Sequence, residues 1–227
     1  MSDLFEVKKI AEIKNGFSEK FGIPRQSGLT ESVKSVIVFE PEYRVPEAFK
    51  GLEEFSHIWL IWQFSEAVRD DWSPTVRPPR LGGNKRLGVF GTRSPFRPNP
   101  LGLSCVKLDG IEFSEKLGPL LHVSGADLMN GTPIYDIKPY IPYADCHPDA
   151  TEGFTGRVER KKLEVSVDTE QLPEAEVLRE ICEILSEDPR PAYQNDADRI
   201  YKMSFAGRNV SFFVKEGCAH ITEITAI

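Results

Sequence analysis

The chain has 227 residues, 40% of them hydrophobic and 28% charged, with a formal net charge of −7. That length holds one large domain or a medium and a small one, and that balance suits a soluble globular protein with a real core. The acidic total excludes a uniformly basic surface that coats nucleic acid, and no apolar run reaches the length of a membrane span.

The opening "MSDLFEVKKIAEIK" has no signal-peptide apolar region, and its "LFEVKKIAEIK" alternates loosely, as a first strand would. "KSVIVFE" (34–40) is a short β-branched strand between polar residues. "SHIWLIWQF" (56–64) is an apolar run of strand length, expected to be buried on both faces. "RLGVF", "LSCVKLDGIEF" and "PLLHVSGADL" follow, separated by Gly, Pro, Asn or Asp. No amphipathic helix of more than three turns precedes residue 170. Short strands without βαβ alternation predict an antiparallel sheet or barrel. The absence of G-x-G-x-x-G between strand and helix argues against a Rossmann cofactor site.

The polar, turn-rich "IPYADCHPDATEGFTG" (141–156) reads as a boundary or linker. "RKKLEVSV" (160–167) is a strand, and "PEAEVLREICEILSED" (173–188) is the clearest helix. Val177, Leu178, Ile181, Ile184 and Leu185 make its apolar stripe, and Pro173 suits its first turn. The last 29 residues read as three antiparallel strands, the first pair turning at "AGRN". A β-rich domain over 1–140, a linker over 141–154 and a small α+β domain over 155–227 are therefore expected. The four cysteines lie far apart without a CxxC pair, so buried free thiols in a reducing cytoplasm are predicted.

Positive charge is concentrated in one place. Between Asp71 and Asp109 there is no acid, while Arg77, Arg80, Lys85, Arg86, Arg93, Arg97 and Lys107 lie there; the rest of the chain carries −14. Five prolines and five glycines within residues 77–104 predict an ordered, shaped loop system rather than a flexible basic tail. Rigidly held guanidinium forks suit phosphate or carboxylate. Arginines that merely brace the loops stay open as the alternative.

"KFGIPRQSGL", "LEEFSHIWLIW", "RPPRLGGNKRLGVFGTRSPFRPNPLGLS", "DLMNGTPIYDIKPYIPYAD" and "EDPRPAY", in that order, resemble the TrmO (TsaA-like) family. The resemblance covers nearly the whole chain, and "TRSPFRPNPLG" together with "DLMNGTPIYDIKPY" is highly specific. It implies S-adenosylmethionine-dependent methylation of N6 of N6-threonylcarbamoyladenosine at tRNA position 37, beside the anticodon. It also implies a mostly β fold, a single-sheeted antiparallel β-barrel with a small C-terminal α+β domain. A homodimer with the cofactor near the subunit interface follows from the same likeness, and the missing signal region and unpaired cysteines predict a cytoplasmic location.

By that resemblance Pro24, Arg25 and Gln26 of "PRQ", Arg93 of "TRS" and Leu103 beyond "NPLG" contact the cofactor. So do Asp127, Leu128, Met129 and Asn130 of "DLMN". After "FSHIWLIWQF" some relatives carry His-Gln, where this chain has Ser65 and Glu66, so contacts there fall to the backbone. Asp188, Arg190 and Tyr193 of "DPRPAY" are the catalytic candidates, with Asp136 a weaker one. If they complete the site from the C-terminal domain, a chain ending near residue 150 is expected to bind cofactor yet not methylate.

His57 is expected to be a hydrogen-bonded core or interface histidine, and His122 likewise; His147 and His220 have no partner pattern. No HExxH, Cys/His cluster or G-x-S-x-G motif occurs, so neither a metal nor an acyl-transfer serine is predicted. Two other readings remain: a non-catalytic RNA-binding module, and a methyltransferase for another nucleic-acid or small-molecule substrate. Stabilisation by S-adenosylmethionine separates the first from an enzyme, and analysis of the methylated product separates the second.

Overall fold

Six strands each turn one apolar face inward, and this pattern closes them into a barrel. The computed structural model describes residues 5–68, 71–78, 81, 85–157, 160–191, 194 and 196–227. In chain order the strands begin with β1 (Ala11–Lys14), β2 (Lys34–Phe39) and β3 (His57–Gln63). The short β4 (Thr75–Val76) and β5 (Leu87–Gly88) pair with each other in a separate two-stranded sheet. Then come β6 (Leu101–Ser114), β7 (Gly118–Ser124) and β8 (Pro133–Pro139). The barrel order is β1-β2-β7-β6-β3-β8, and every neighbouring pair is antiparallel.

Ile13, Ile37, Ile58, Leu60, Val106, Leu121, Val123 and Ile134 fill the interior and are fully buried. The two-sided burial expected of "SHIWLIWQF" does not occur. Ile58, Leu60 and Trp62 point inward, whereas His57 is exposed and Trp59, Ile61 and Gln63 are half-covered. A small closed barrel has one filled interior, so each strand has a single buried face. His57 is therefore no core histidine; its Nδ1 lies 2.9 Å from the Ser56 hydroxyl.

The segment after β8 holds a helical turn, α1 (Pro142–Asp145), and a 3-10 turn at Thr155–Arg157. Beyond it come β9 (Glu164–Val167), α2 (Ala175–Ser186), β10 (Tyr201–Phe205), β11 (Arg208–Lys215) and β12 (Cys218–Ala226). They form a four-stranded sheet, β10-β11-β12-β9, with β9 parallel to β12 and the other pairs antiparallel. The hairpin turns at Ala206 and Gly207, as "AGRN" predicts. Ile181, Ile184 and Leu185 of α2 are buried on this sheet, with Val177 and Leu178 packed beside them. Pro173 precedes the helix instead of occupying its first turn, since Glu174 is the N-cap.

The second core also takes in residues from far upstream. Phe17 and Val33 are buried in it, and Phe21 and Ile23 pack against it. Phe17 meets Phe205 edge-on at 5.1 Å between centroids. Carboxylates of α2 bind the same upstream segment. Glu183 accepts from the backbone N–H groups of Glu31 and Ser32 at 2.8 and 2.7 Å, and Glu180 accepts from that of Lys34 at 3.0 Å.

All four cysteines are free, but the expected burial is only partial: Cys146 is exposed and Cys105, Cys182 and Cys218 are intermediate. Among the described residues, no helix is long and apolar enough to cross a membrane.

Candidate functional site

A cleft of about 730 Å³ opens where β3, β6 and the loop before β8 meet the upstream segment and the basic loop. Four separate pieces of chain line it. Pro24, Arg25 and Gln26 come from the first, Ser65, Glu66 and Ala67 from a turn after β3, Thr92, Arg93, Pro95, Phe96 and Arg97 from the basic loop, and Asp127 and Met129 from the loop after β7. Leu103 stands at its edge, 53% exposed. The structure thus brings together most of the residues predicted to contact a cofactor. Leu128 and Asn130 are the exceptions.

Alternation explains those two. Leu128 is fully buried in the barrel core and anchors the loop. Asn130 turns to the opposite side, where its Oδ1 accepts from Asn15 N–H at 3.2 Å and its N–H donates to Phe17 O at 2.9 Å. Asn15 in turn donates from Nδ2 to Leu128 O at 2.9 Å. Held on that side, "DLMN" presents only Asp127 and Met129 to the cleft, and Thr132 joins them from the end of the loop.

Asp127 sits at the end of a relay that the sequence reading missed. Trp62 Nε1–H donates to Ser104 Oγ at 2.9 Å, and the Ser104 hydroxyl donates to Asp127 Oδ1 at 2.5 Å. Burial raises the carboxyl's affinity for its proton above the ordinary aspartate range, against the opposing pull of Ser104, of backbone N–H groups and of Arg93. Trp62 lies directly over Gly102, where a Cβ would come within 2.2 Å of the indole, so this register position requires glycine. The signal was the inward phase of β3, which aligns Trp62 with Ile58 and Leu60.

Gly125 brings the other wall close. Its φ of +76° and its approach to Gly28, 3.2 Å from a Cβ position to Cα, allow Gly28 N–H to donate to Gly125 O at 2.8 Å. "PRQSG" is thereby set beside "GADLM". Across the cleft mouth the Arg93 guanidinium donates to the Gln26 side-chain oxygen, and Lys20 pairs with Glu66 at 3.0 Å.

The basic loop is ordered by its own hydroxyls. Thr92 Oγ1 donates to Val89 O at 2.8 Å and accepts from Ser94 N–H at 3.2 Å, while Ser94 Oγ accepts from Phe96 N–H at 3.3 Å. Its arginines divide between two roles. Arg86 braces the loop by donating to Thr75 Oγ1 at 2.7 Å. Arg97 lines the cleft, and its side chain makes no hydrogen bond or ion pair with another described residue. Arg77 and Lys85 are exposed, and Arg80 lies outside the described residues.

Asp188 and Arg190 do not line the cleft. Asp188 and Arg190 bind each other through two contacts of 2.7 and 2.9 Å, with Arg190 only 8% exposed. They reach the site indirectly: Arg25 Nη2 donates to Arg190 O at 2.7 Å and to Asp188 O at 3.4 Å. Tyr193 lies outside the described residues. Asp136 pairs with Lys138 at 3.0 Å, away from the cleft. His122 meets Glu112 at 2.8 Å and His220 meets Asp168 at 3.0 Å, also away from it. Among the described residues, no three His, Cys, Asp or Glu side chains group as a metal site would.

Comparison with known proteins agrees over most of the chain. The tRNA-methyltransferase O N-terminal domain matches residues 12–146, and the TrmO C-terminal domain matches residues 158–227. A tRNA (adenine(37)-N6)-methyltransferase of Escherichia coli is 40% identical over 198 residues, 84% of each chain. A putative S-adenosylmethionine-dependent methyltransferase of Pseudomonas aeruginosa is 42% identical over 199 residues, 83% of each chain. A crystal structure of TrmO from Pseudomonas aeruginosa superposes with a TM-score of 0.80 at 30% identity, covering 98% of this chain and 99% of that one.

Proposed function

The chain belongs to the TrmO family and is a tRNA (adenine-N6)-methyltransferase acting at position 37, and we propose that its substrate there is N6-threonylcarbamoyladenosine and its methyl donor S-adenosylmethionine. The observation that carries this reading is the convergence of "PRQ", "TRS" and "DLM" from three distant parts of the sequence on one cleft.

The cleft's donor set fits that cofactor. Its carboxylate suits Arg93 at the cleft mouth, its ribose hydroxyls or ammonium suit Asp127, and its purine suits the apolar surfaces of Phe64, Phe96 and Met129. When bound, S-adenosylmethionine supplies a methyl group already activated on a sulfonium. The chain's own residues therefore have mainly to orient the reactants, a contribution that reaches about 7–11 kcal/mol. Ser104 and Trp62 hold the Asp127 carboxylate in one rotamer, and Gln26 holds Arg93. The uncommitted Arg97 supports the finer substrate, because a threonylcarbamoyl group carries a carboxylate that a guanidinium can grip. Asp188 and Arg190 serve as positioning residues acting through Arg25.

Incubating tRNA with the protein and labelled donor, then analysing position-37 nucleosides by mass spectrometry, tests the assignment. Label should enter only tRNA that carries the threonylcarbamoyl group. Equal labelling of unmodified adenosine would overturn the finer substrate, and no labelling of either would overturn the activity.

Two substitutions probe the cleft. Asp127→Asn should lower affinity for S-adenosylmethionine about tenfold or more, the loss expected when a charged acceptor goes. Its effect on stability should have the opposite sign. The folded chain holds the Asp127 proton above its unfolded value, so the ionised form weakens the fold at neutral pH. Asp127→Asn should then melt at the same temperature as wild type or higher, the difference growing as pH rises through the raised value. A lower melting temperature at neutral pH with unchanged cofactor affinity would refute both expectations. For the basic loop, Arg97→Ala should weaken binding of threonylcarbamoylated tRNA more than of unmodified tRNA, with the salt slope of tRNA affinity little changed. Arg86→Ala, which removes a brace, should lower the melting temperature and leave that slope unchanged.

A further inference from the structure

We propose that Trp72 and Phe90 form a stacking platform for a base of the single-stranded anticodon loop, beside the cleft. This rests on the reading that the chain acts on tRNA. The two rings are 48% and 73% exposed, and they stack on each other with centroids 6.1 Å apart and planes 28° apart. Two large aromatic faces left in water together indicate a contact surface rather than core packing.

Their position ties them to the cleft wall. Ser73, next to Trp72, donates its N–H to the carbonyl of Phe96 at 3.4 Å, and Phe96 lines the cleft. Phe90 is two residues from Thr92, which also lines it. Val89 N–H donates to Pro74 O at 3.0 Å, and β4 pairs with β5, so the two rings are carried on one hydrogen-bonded unit.

Charge selects the occupant. Asp71 immediately precedes Trp72, but from there to Asp109 the chain has cations only, and Arg77, Lys85 and Arg93 are exposed. Aromatic faces beside exposed cations suit a base between phosphates. An adenosine turned out of its loop into the cleft leaves its neighbour without a stacking partner, and the platform would replace that partner.

The test uses the full chain as Trp72→Ala, Phe90→Ala and Trp72→Phe, with an anticodon stem-loop RNA bearing 2-aminopurine beside position 37. Either alanine variant should bind this RNA about tenfold more weakly, while Trp72→Phe stays within about threefold of wild type. The fluorescence of 2-aminopurine, quenched in the wild-type complex, should recover in the saturated alanine complexes. The slope of affinity against salt should not change, because a lost stack releases no counterions. Affinity for S-adenosylmethionine should also be unchanged.

Alanine variants that bind RNA as wild type does would remove the platform and leave the tRNA reading standing. A slope reduced by about one unit would reassign the loss to a phosphate contact. A change in sedimenting mass would make this face an interface between copies of the chain. If wild type fails to bind the RNA, the tRNA reading itself falls and the platform with it.

Discussion

A chain cut after residue 150 should lose S-adenosylmethionine binding, its apparent affinity falling roughly a hundredfold or more. The reason is the segment between β1 and β2, which carries Pro24, Arg25 and Gln26 into the cleft. That segment is held from behind by the C-terminal sheet and helix. Phe17 and Val33 are buried in the second core, and Ser204 N–H donates to Glu19 at 2.7 Å. Ala206 N–H donates to Gly16 O at 2.9 Å, and Glu180 and Glu183 bind the backbone of 31–34. Removing these partners exposes two large apolar side chains and leaves the cleft wall without a fixed conformation. If the competent arrangement is then populated about 1% of the time, affinity drops by the inverse of that fraction. Reading the motifs alone points the other way, to a barrel that binds cofactor unaided. Calorimetric titration of the shortened chain decides; affinity within about threefold of wild type would show that the barrel holds its own cleft.

Asp188→Ala should destabilise the fold by about 3 kcal/mol at most through the lost ion pair, the lower bound for breaking a buried one, because Arg190 is left with its charge uncompensated at 8% exposure while the Asp188 side chain is itself 31% exposed. For a chain of this size that is a fall of roughly 6–12 °C in melting temperature. Backbone strain adds to it. Asp188 has φ of +49°, which aspartate and asparagine tolerate better than alanine. Asp188→Asn should therefore recover part of the stability. Cofactor affinity should fall in the alanine variant, since the carbonyls of Asp188 and Arg190 hold Arg25. Turnover measured in single-turnover assays at saturating cofactor should stay close to wild type. A catalytic base would give the reverse pattern: normal melting, normal cofactor affinity and a collapse of turnover. That outcome would restore the role in chemistry that the "DPRPAY" motif suggests.

Most strands were legible because one buried face leaves a period of two in the sequence. β2 and β6 show it, and the α2 stripe shows the helical period equally well. β8 was not legible as a strand. It begins and ends in proline, carries Asp136 and Lys138, and pairs out of step across a bulge at Ile61 and Trp62. Its role in closing the barrel between β1 and β3 depends on partners distant in sequence. The single-faced burial of β3 was hidden for a related reason: Trp59 and Ile61 are apolar although they lie on the outer face.

By itself the sequence determined the β-rich class, the concentration of cations in residues 72–108 and the motifs whose resemblance implies a methyltransferase. These are properties of residue type and spacing, readable wherever the chain folds. Only the tertiary structure decided which members of each motif face the cleft. Asp127 and Met129 line it while Leu128 and Asn130 anchor the loop, and Arg97 lines it while Arg86 braces a strand. It also decided that Asp188 and Arg190 neutralise each other and that Trp62 and Ser104 support the cleft carboxylate of Asp127. Each of those outcomes depends on the direction of a side chain and on the burial of its partner. Both are set by contacts between segments separated by 165 residues and more, and local pattern carries no record of them.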